Sequence, residues 1–411
     1  MLKKKFAMQL NTAWFVVVVF VINLSNAQGV EEIISQKITQ AFLKSGLPGL
    51  SVMMVTKDST LYQNSFGYAD VVSKKPFTNN IVQNIGSISK TLIGVSLMKL
   101  VDQGKLKLDD PINKYLPFSA NHPNFPKTPI TIRHLATHSS GIKDTPSNYD
   151  LKSYYLDSNL QKTEISTKGF TLEEKIFLKK TKTNNRIPLG IYLQKVLDIK
   201  GEWYSDKSYY DFEPGSIYEY TNLGAALAAY IVELVSKMSY AEFTKQEIIN
   251  PLSMQSTGWY YKDVDMNRFA TRYMGKKNAI VPFYEISSYP DGGLKTTSTD
   301  LGLFLQEMLK GYTGESDLLS KASFEVLFQN HLSVPDGERN GIFWDVFGET
   351  GTGDIGHSGI DPGVYCFMYF NPVTGIGKIL MTNATGARHE KKTIAVWEEF
   401  IRMETLFSKN K

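Results

Sequence analysis

The sequence predicts an α/β protein: one sheet assembled from both ends of the chain, with an all-α lobe inserted between them. Three observations carry this. Two strand-like runs joined by a turn stand near the N-terminus. Three strand-like runs and an amphipathic helix close the C-terminal third. The stretch between them reads as helical patches and long loops. The 411 residues suffice for one large domain or two lobes, and 42% hydrophobic with 21% charged residues is an ordinary globular composition.

Residues 1–27 read as a secretory signal peptide. They have a basic start, an apolar core from Trp14 to Leu24, and small residues before a cut after about Ala27. A membrane anchor is the competing reading, but the apolar core is about 11 residues against roughly 20 for a span. The expectation is therefore an exported chain, periplasmic or secreted, with no stable membrane span after cleavage. The formal net charge is +4, and three of those charges are Lys3, Lys4 and Lys5. A chain cut after Ala27 carries about +1, so charge gives no reason to expect a nucleic-acid partner. Cys366, the one cysteine, lies in the apolar run GVYCFMYF and reads as a buried, inert thiol. The fold has no internal disulfide to rely on.

The mature chain, 28–411, divides into an α/β lobe (about 28–105 and 286–411) and a helical lobe (about 106–285). Ile33, Ile34, Ile38, Ala41 and Phe42 recur at helical spacing. PGLSVMMVTKDSTLYQNSFGYAD reads as two strands with a turn near Asp58 and Ser59. NIGSISKTLIG opens a helix that Gly104 stops near Gln103. Residues 147–170 are polar and weakly periodic, an exposed excursion within 145–210, and EEKIFLKKTKTNNR is a solvated helix face. TSTDLGLFLQEML is an amphipathic helix with Ser298 or Thr299 as N-cap. Strand-like GIFWDVFG, GVYCFMYFN and IGKILMTNA follow. A last helix carries Ile394, Trp397, Phe400 and Ile401 on one face.

Three stretches bear on chemistry. Ser87 and Lys90, at i and i+3, share a helix face near its start, where free N–H groups favour developing negative charge. A serine hydroxyl is a poor nucleophile until something takes its proton, and a lysine desolvated to a pKa of about 7–8 can do so at a cost of about 4 kcal/mol. Alone the pair is weak, because Lys90 can also snorkel to water. FEPGSIYEYTNLGAALAAYIVE places Tyr220 and Asn222 at the mouth of an apolar helix. Such a phenol can share a proton with Lys90, and such an amide can accept from it; a buried tyrosine and a capping asparagine are the ordinary alternatives. GDIGHSGIDPG sets His357 and Gly359 just before the strand GVYCFMYF; a glycine there lets a substrate backbone approach, and a loop histidine is the ordinary alternative.

The order Ser-x-x-Lys, Tyr-x-Asn, His-x-Gly, with about 130 residues between successive motifs, resembles the serine hydrolases related to class C β-lactamases and DD-peptidases, the penicillin-binding-protein-like family. LATHSSGI (135–142), NPLSMQSTGWYY (250–261) and DGGLKTTSTDLGLF (291–304) look like that family's supporting turns, and the likeness runs over roughly residues 30 to 405. It implies an antiparallel sheet flanked by helices, of the β-lactamase/transpeptidase type. It implies Ser87 as the acylated nucleophile and Lys90 with Tyr220 as the proton-transfer pair, the base being left open between them. Asn222 then positions Lys90 and substrate, His357 and Gly359 face the substrate, and the N–H groups of Ser87 and Ile360 form the oxyanion hole.

The activity the resemblance implies is hydrolysis of an amide or ester, of DD-peptidase, D-aminopeptidase or esterase type, on a D-amino-acid peptide, a peptidoglycan fragment or a small ester. A β-lactamase, or a non-catalytic penicillin-binding sensor of the same fold, is the alternative. His357 stands where β-lactamases carry a lysine, and a mostly neutral imidazole holds a β-lactam carboxylate more weakly. The Ser87-to-Tyr220 stretch is longer than in compact β-lactamases; its aromatics Tyr154, Tyr155, Trp203 and Tyr204 either line the substrate site or form the excursion's own core. His138 reads as a turn or core histidine. No cofactor and no metal is implied, since the six histidines lack ligand spacing. The partner expected is a small-molecule or peptide substrate; oligomeric state is not legible.

Overall fold

The computed structural model describes residues 29–157, 159–160, 166–275, 278–333, 339–347 and 353–408. The signal-peptide reading lies outside them. Among the described residues no helix is long and apolar enough to cross a membrane. The described residues form two compact units, one within Leu47–Thr393 and a smaller one of residues 29–46 with 394–408. In the smaller unit the helix at 29–45 buries Ile34 and Ile38 while Ile33 is exposed, and Lys37 pairs with Glu399 at 3.8 Å. Trp397 and Phe400 are buried, but Ile394 is 38% exposed, so the expected apolar face is narrower than four residues.

The larger unit is built on a mixed α/β plan. Its principal elements are β1 (Gly49–Val55), β2 (Thr60–Asp70), α1 (Lys90–Asp102), α2 (Asn222–Ser236), α3 (Ser298–Thr313), β3 (Ile355–Asp361), β4 (Val364–Asn371) and β5 (Ile376–Thr382). All sheet pairings among these strands are antiparallel, in the order β3-β4-β5-β1-β2. Two-residue strands extend both edges. The first strand thus lies beside the last, with Leu50 opposite Thr382 and Val55 opposite Gly377. Every residue of β1 and β5 is buried, which is why neither run alternates polar with apolar. α3 packs on β1, β4 and β5, while α1 and α2 pack on each other in the helical part. α2 buries nine residues and has no polar stripe, the pattern of a helix inside a core. At α1, a Cβ on Gly94 would lie 2.2 Å from the carbonyl oxygen of Ile342, so only glycine admits this contact. Gly104, at φ 66°, follows the C-cap Gln103 as expected.

Several local expectations are corrected. Thr297, not Ser298 or Thr299, caps α3: its hydroxyl accepts from Asp300 N–H, whereas the hydroxyls of Ser298 and Thr299 are spent on the carbonyl of Asn79. GIFWDVFG contributes only the short strand Asp345–Val346; Ile342, Phe343 and Trp344 instead plug the core, with Phe343 at φ 58°. Within GDIGHSGID, Ile355–Asp361 form β3, so His357 stands at a strand position, as the family resemblance implied, although Gly356 and Gly359 dilute the β-signal. The described part of the 147–170 segment is only partly exposed. Tyr149, Ser153 and Tyr154 are buried, and Tyr154–Leu156 pairs antiparallel with Tyr284–Ile286. Of the aromatics within 145–210, Tyr154 reaches the cleft, while Trp203 and Tyr204 pack against the main core rather than forming a core of their own.

Candidate active site

Ser87 stands on a 3₁₀ turn, Gly86–Ser89, that runs into α1, rather than on the α-helix itself. Two glycines let this turn lie against β3. A Cβ on Gly86, which has φ 55°, would meet Ile360 N at 2.8 Å; one on Gly359 would meet Ile85 O at 1.9 Å and Ser87 N at 3.1 Å. The backbones of Ser87 and Ile360 are thereby brought side by side.

Lys90 is fully buried at the start of α1. Its Nζ lies 3.0 Å from Ser87 Oγ, and it donates to Asn222 Oδ1 at 2.7 Å and to the carbonyl oxygen of Asp291 at 2.6 Å. Tyr220 Oη sits 2.8 Å from Ser87 Oγ, and Lys90 Nζ is 5.1 Å from the Tyr220 ring. Burial pushes the Lys90 pKa below its ordinary value, against the pull of Asp291, Asp144 and Asp361. Burial also raises Tyr220 well above the usual phenol range. Both shifts favour the uncharged forms.

Asp144 fixes this arrangement from a distant part of the chain. It accepts from Thr221 Oγ1 (2.9 Å), Asn222 N (2.6 Å), Asn222 Nδ2 (2.9 Å) and Leu223 N (3.0 Å). The carboxylate therefore satisfies free N–H groups at the start of α2. Because it takes the amide Nδ2, it turns Asn222 Oδ1 toward Lys90. His138, at φ 52°, packs its ring 4.5 Å from that of Tyr220 and accepts from Thr221 N at Nδ1 (3.2 Å). Burial lowers its pKa well below the usual value, so it is a neutral wedge behind the phenol. It is a core histidine, as its sequence context suggested. His357, on β3, contacts the Ser358 carbonyl oxygen through Nδ1 at 2.5 Å, and burial lowers its pKa too.

These groups open on a cleft of about 460 Å³, lined by Ser87, Tyr220, Asn222, His357 and Ile360 among others. A sequence model of the Beta-lactamase family matches residues 33–399. The chain belongs to the beta-lactamase family. Members of this family are generally serine hydrolases. Among its relatives, Penicillin-binding protein 4* of Bacillus subtilis (strain 168) is 26% identical over 77% of this chain and 64% of its own length. The human mitochondrial serine beta-lactamase-like protein LACTB is 31% identical over 65% of this chain and 54% of its own. The chain thus spans somewhat over half the length of these two relatives. Of solved structures, the octameric penicillin-binding protein homologue from Pyrococcus abyssi superposes with a TM-score of 0.68 at 24% identity, covering 90% of this chain and 77% of that one. EstCE1, a hydrolase with promiscuous acyltransferase activity, gives 0.63 at 19% identity, covering 91% and 99%. Both share the fold, and the sheet-plus-helical-lobe plan read from the sequence is that of the beta-lactamase family.

In this beta-lactamase-family chain, Ser87, Lys90, Tyr220 and Asn222 meet at one point, with Gly359, Ile360 and His357 on the adjoining strand. Sequence reasoning did not single out Asp144, nor Tyr149, Asp291 and Asp361 of the cleft; Tyr154 it named as one that could line the site. Tyr149 Oη donates to Asp291 Oδ1 at 2.9 Å, and Tyr154 Oη donates to Asp361 Oδ1 at 2.8 Å. A signal was available only for Asp291, which opens the family-like DGGLKTT turn. Among the described residues no group of three or more His, Cys, Asp or Glu is placed to hold a metal ion.

Proposed function

We propose that this protein is a hydrolase that forms an acyl-enzyme on Ser87 and cleaves an amide or ester, with Lys90 as the base. One observation carries the assignment of the base. Two of the three atoms around Lys90 Nζ, the amide oxygen of Asn222 and the carbonyl oxygen of Asp291, can only accept, and they use two N–H groups. The third, Ser87 Oγ, can give its proton to the lone pair of a neutral amine while accepting the proton of Tyr220. A neutral lysine satisfies every group in this set, and its lowered pKa supports that form.

In this reading the Ser87 proton moves to Lys90 Nζ as Oγ bonds to the acyl carbon. The oxyanion settles between the N–H groups of Ser87 and Ile360, donors that are commonly worth about 3–4 kcal/mol each. Tyr220 passes a proton to the leaving amine or alcohol and is resupplied by Lys90. Water then repeats the sequence on the acyl-enzyme and frees Ser87. Substrates in view are amino-acid amides and short peptides, peptidoglycan fragments and small esters. The basic and apolar N-terminal segment supports export, with cleavage after about Ala27, which N-terminal sequencing of the secreted chain checks.

A panel of nitrophenyl esters, amino-acid nitroanilides and a chromogenic cephalosporin tests the reading through kcat/KM for each. Turnover of an ester or anilide is expected, with weak or no cephalosporin hydrolysis, and with loss of all turnover in Ser87→Ala. Full activity in Ser87→Ala would overturn it.

A further inference from the structure

The wall of the cleft beside the serine carries two carboxyl groups for which the chemistry above has no use. Asp291 and Asp361 are both buried, at 0% and 6% exposure, and both line the cleft. Each has one oxygen held by a phenol, Tyr149 for Asp291 and Tyr154 for Asp361. The other oxygen, Oδ2 in each case, is buried without a hydrogen-bond partner. Ser288 lies near enough to Asp291 to favour its ionised form, yet Ser288 Oγ itself makes no hydrogen bond. The Oδ2 atom of Asp361 lies 3.4 Å from the point a Cβ on Gly292 would occupy, so a side chain at the residue after Asp291 would stand against this oxygen. Both acids adjoin the reacting centre: Asp291 gives its carbonyl to Lys90, and Asp361 directly follows Ile360.

Two buried acceptors left open at one wall are costly unless something supplies donors and positive charge. Among the described residues no donor hydrogen-bonds either oxygen, and the charges of Lys90, Arg272 and Lys295 act on them only from a distance. Lys90 is turned toward Ser87, Asn222 and the Asp291 carbonyl, and His357 is held neutral by burial. Arg272 is spent on Asn84 and the Pro282 carbonyl, and Lys295 on the carbonyls of Trp259 and Gly293. Burial raises Asp291 to about 7 and Asp361 to about 6, as it must for carboxyls awaiting a counter-charge. Asp345, held by the Tyr369 hydroxyl, adds a third acid to the lining. The cleft is acidic although the chain is not, its formal net charge being +4. A divalent metal would need more ligands than this wall offers, and no such cluster exists among the described residues.

The geometry points to a substrate that carries a primary ammonium next to its scissile carbonyl, such as the free α-amino group of an amino-acid amide or short peptide, held between Asp291 Oδ2 and Asp361 Oδ2. An ammonium brings the positive charge and N–H donors for both oxygens, and hydrogen bonds between charged partners are the strong ones. The same wall repels the carboxylate that a β-lactam brings. This inference rests on the hydrolase reading for the position of the scissile bond.

The test compares alanine p-nitroanilide, in both D and L forms, with its N-acetyl counterpart at pH 6.5, where the free α-amine is protonated. The full-length wild-type protein is expected to favour the free amine by at least about 30-fold in kcat/KM, and Asp361→Asn and Asp291→Asn are each expected to reduce that ratio to below about 5. Taking the ratio within each protein cancels partial loss of folding or of catalytic competence. Calorimetric binding of alaninamide against N-acetylalaninamide to the Ser87→Ala protein reads the same preference without turnover. It therefore decides the inference even if neither variant folds, or if the hydrolase reading itself fails for want of turnover. A ratio near or below one in both measurements overturns the inference. So does an amine preference that survives both substitutions.

Discussion

Lys90 and Lys295 are both buried lysines, at 0% and 1% exposure, and the protein treats them in opposite ways. Lys295 has a counter-ion: its Nζ lies 3.6 Å from Glu285, donates to the carbonyls of Trp259 (2.8 Å) and Gly293 (3.1 Å), and sits 4.6 Å from the Tyr261 ring. Lys90 has no carboxylate in ion-pair contact among the described residues; its neighbours are a hydroxyl, an amide oxygen and a peptide carbonyl. Desolvation lowers both pKa values, but at Lys295 the adjacent Glu285 is the chief opposing influence, whereas the acids acting on Lys90 do so without touching its ammonium. A buried lysine with a carboxylate partner is part of the scaffold. One surrounded by neutral acceptors and a serine is poised to lose its proton. The difference between the two lysines lies in what they contact, since their burial is the same.

Substitutions at these two positions separate the roles, and the largest effect is expected at Lys90. Lys90→Met should lower kcat on any ester or anilide substrate by about 10⁴-fold or more, the scale on which members of a catalytic unit fail. Its denaturant midpoint should be unchanged or raised, because a desolvated amine is removed. An unfolded variant would place Lys90 with Lys295. Lys295→Met should do the converse, costing about 3–5 kcal/mol of stability because Glu285 is left buried and unpaired. Adding Glu285→Gln should recover much of the loss. A Lys295→Met protein as stable as wild type would erase the comparison. Tyr220→Phe should lower kcat by about 10²-fold, the range of one positioned proton donor, with a change in midpoint too small to resolve. The smallest effect is expected at Asp144→Ala, which strips the start of α2 and frees the Asn222 amide: about 1–2 kcal/mol of stability and a modest fall in kcat/KM.

What the sequence made legible has a physical pattern. Ser87 with Lys90, and Tyr220 with Asn222, are short local spacings whose chemistry shows in the residue types alone. β1 and β2 were legible because buried apolar runs broken by a polar turn leave a clear signature. β3 was legible only through the family resemblance, because glycines stand where a strand would carry branched side chains; a Cβ on Gly359 would lie 1.9 Å from Ile85 O. Asp144, Tyr149 and Asp361 were missed for a different reason. Each acts through contacts with groups far along the chain, such as the pair Tyr154 and Asp361 at a separation of 207, and no local period marks such contacts.

The account stands on Ser87 being activated by an uncharged Lys90, and the pH dependence of Ser87 acylation tests this most directly. A nitrophenyl ester or a fluorophosphonate is reacted with the wild-type protein from pH 5 to 10.5, and the adduct is located by mass spectrometry. A lysine with a lowered pKa becomes neutral as pH rises through that value, so the acylation rate should climb with a midpoint below the ordinary 10.5. Asp291 and Asp361 ionise in the same range, near 7 and 6, and oppose the loss of the Lys90 proton. The observed midpoint therefore belongs to the cluster, and Asp291→Asn should move it down. An adduct on Ser87 with this rising profile is the expected result; no adduct on Ser87, or a rate that shows no rise before pH 10.5, would contradict the account.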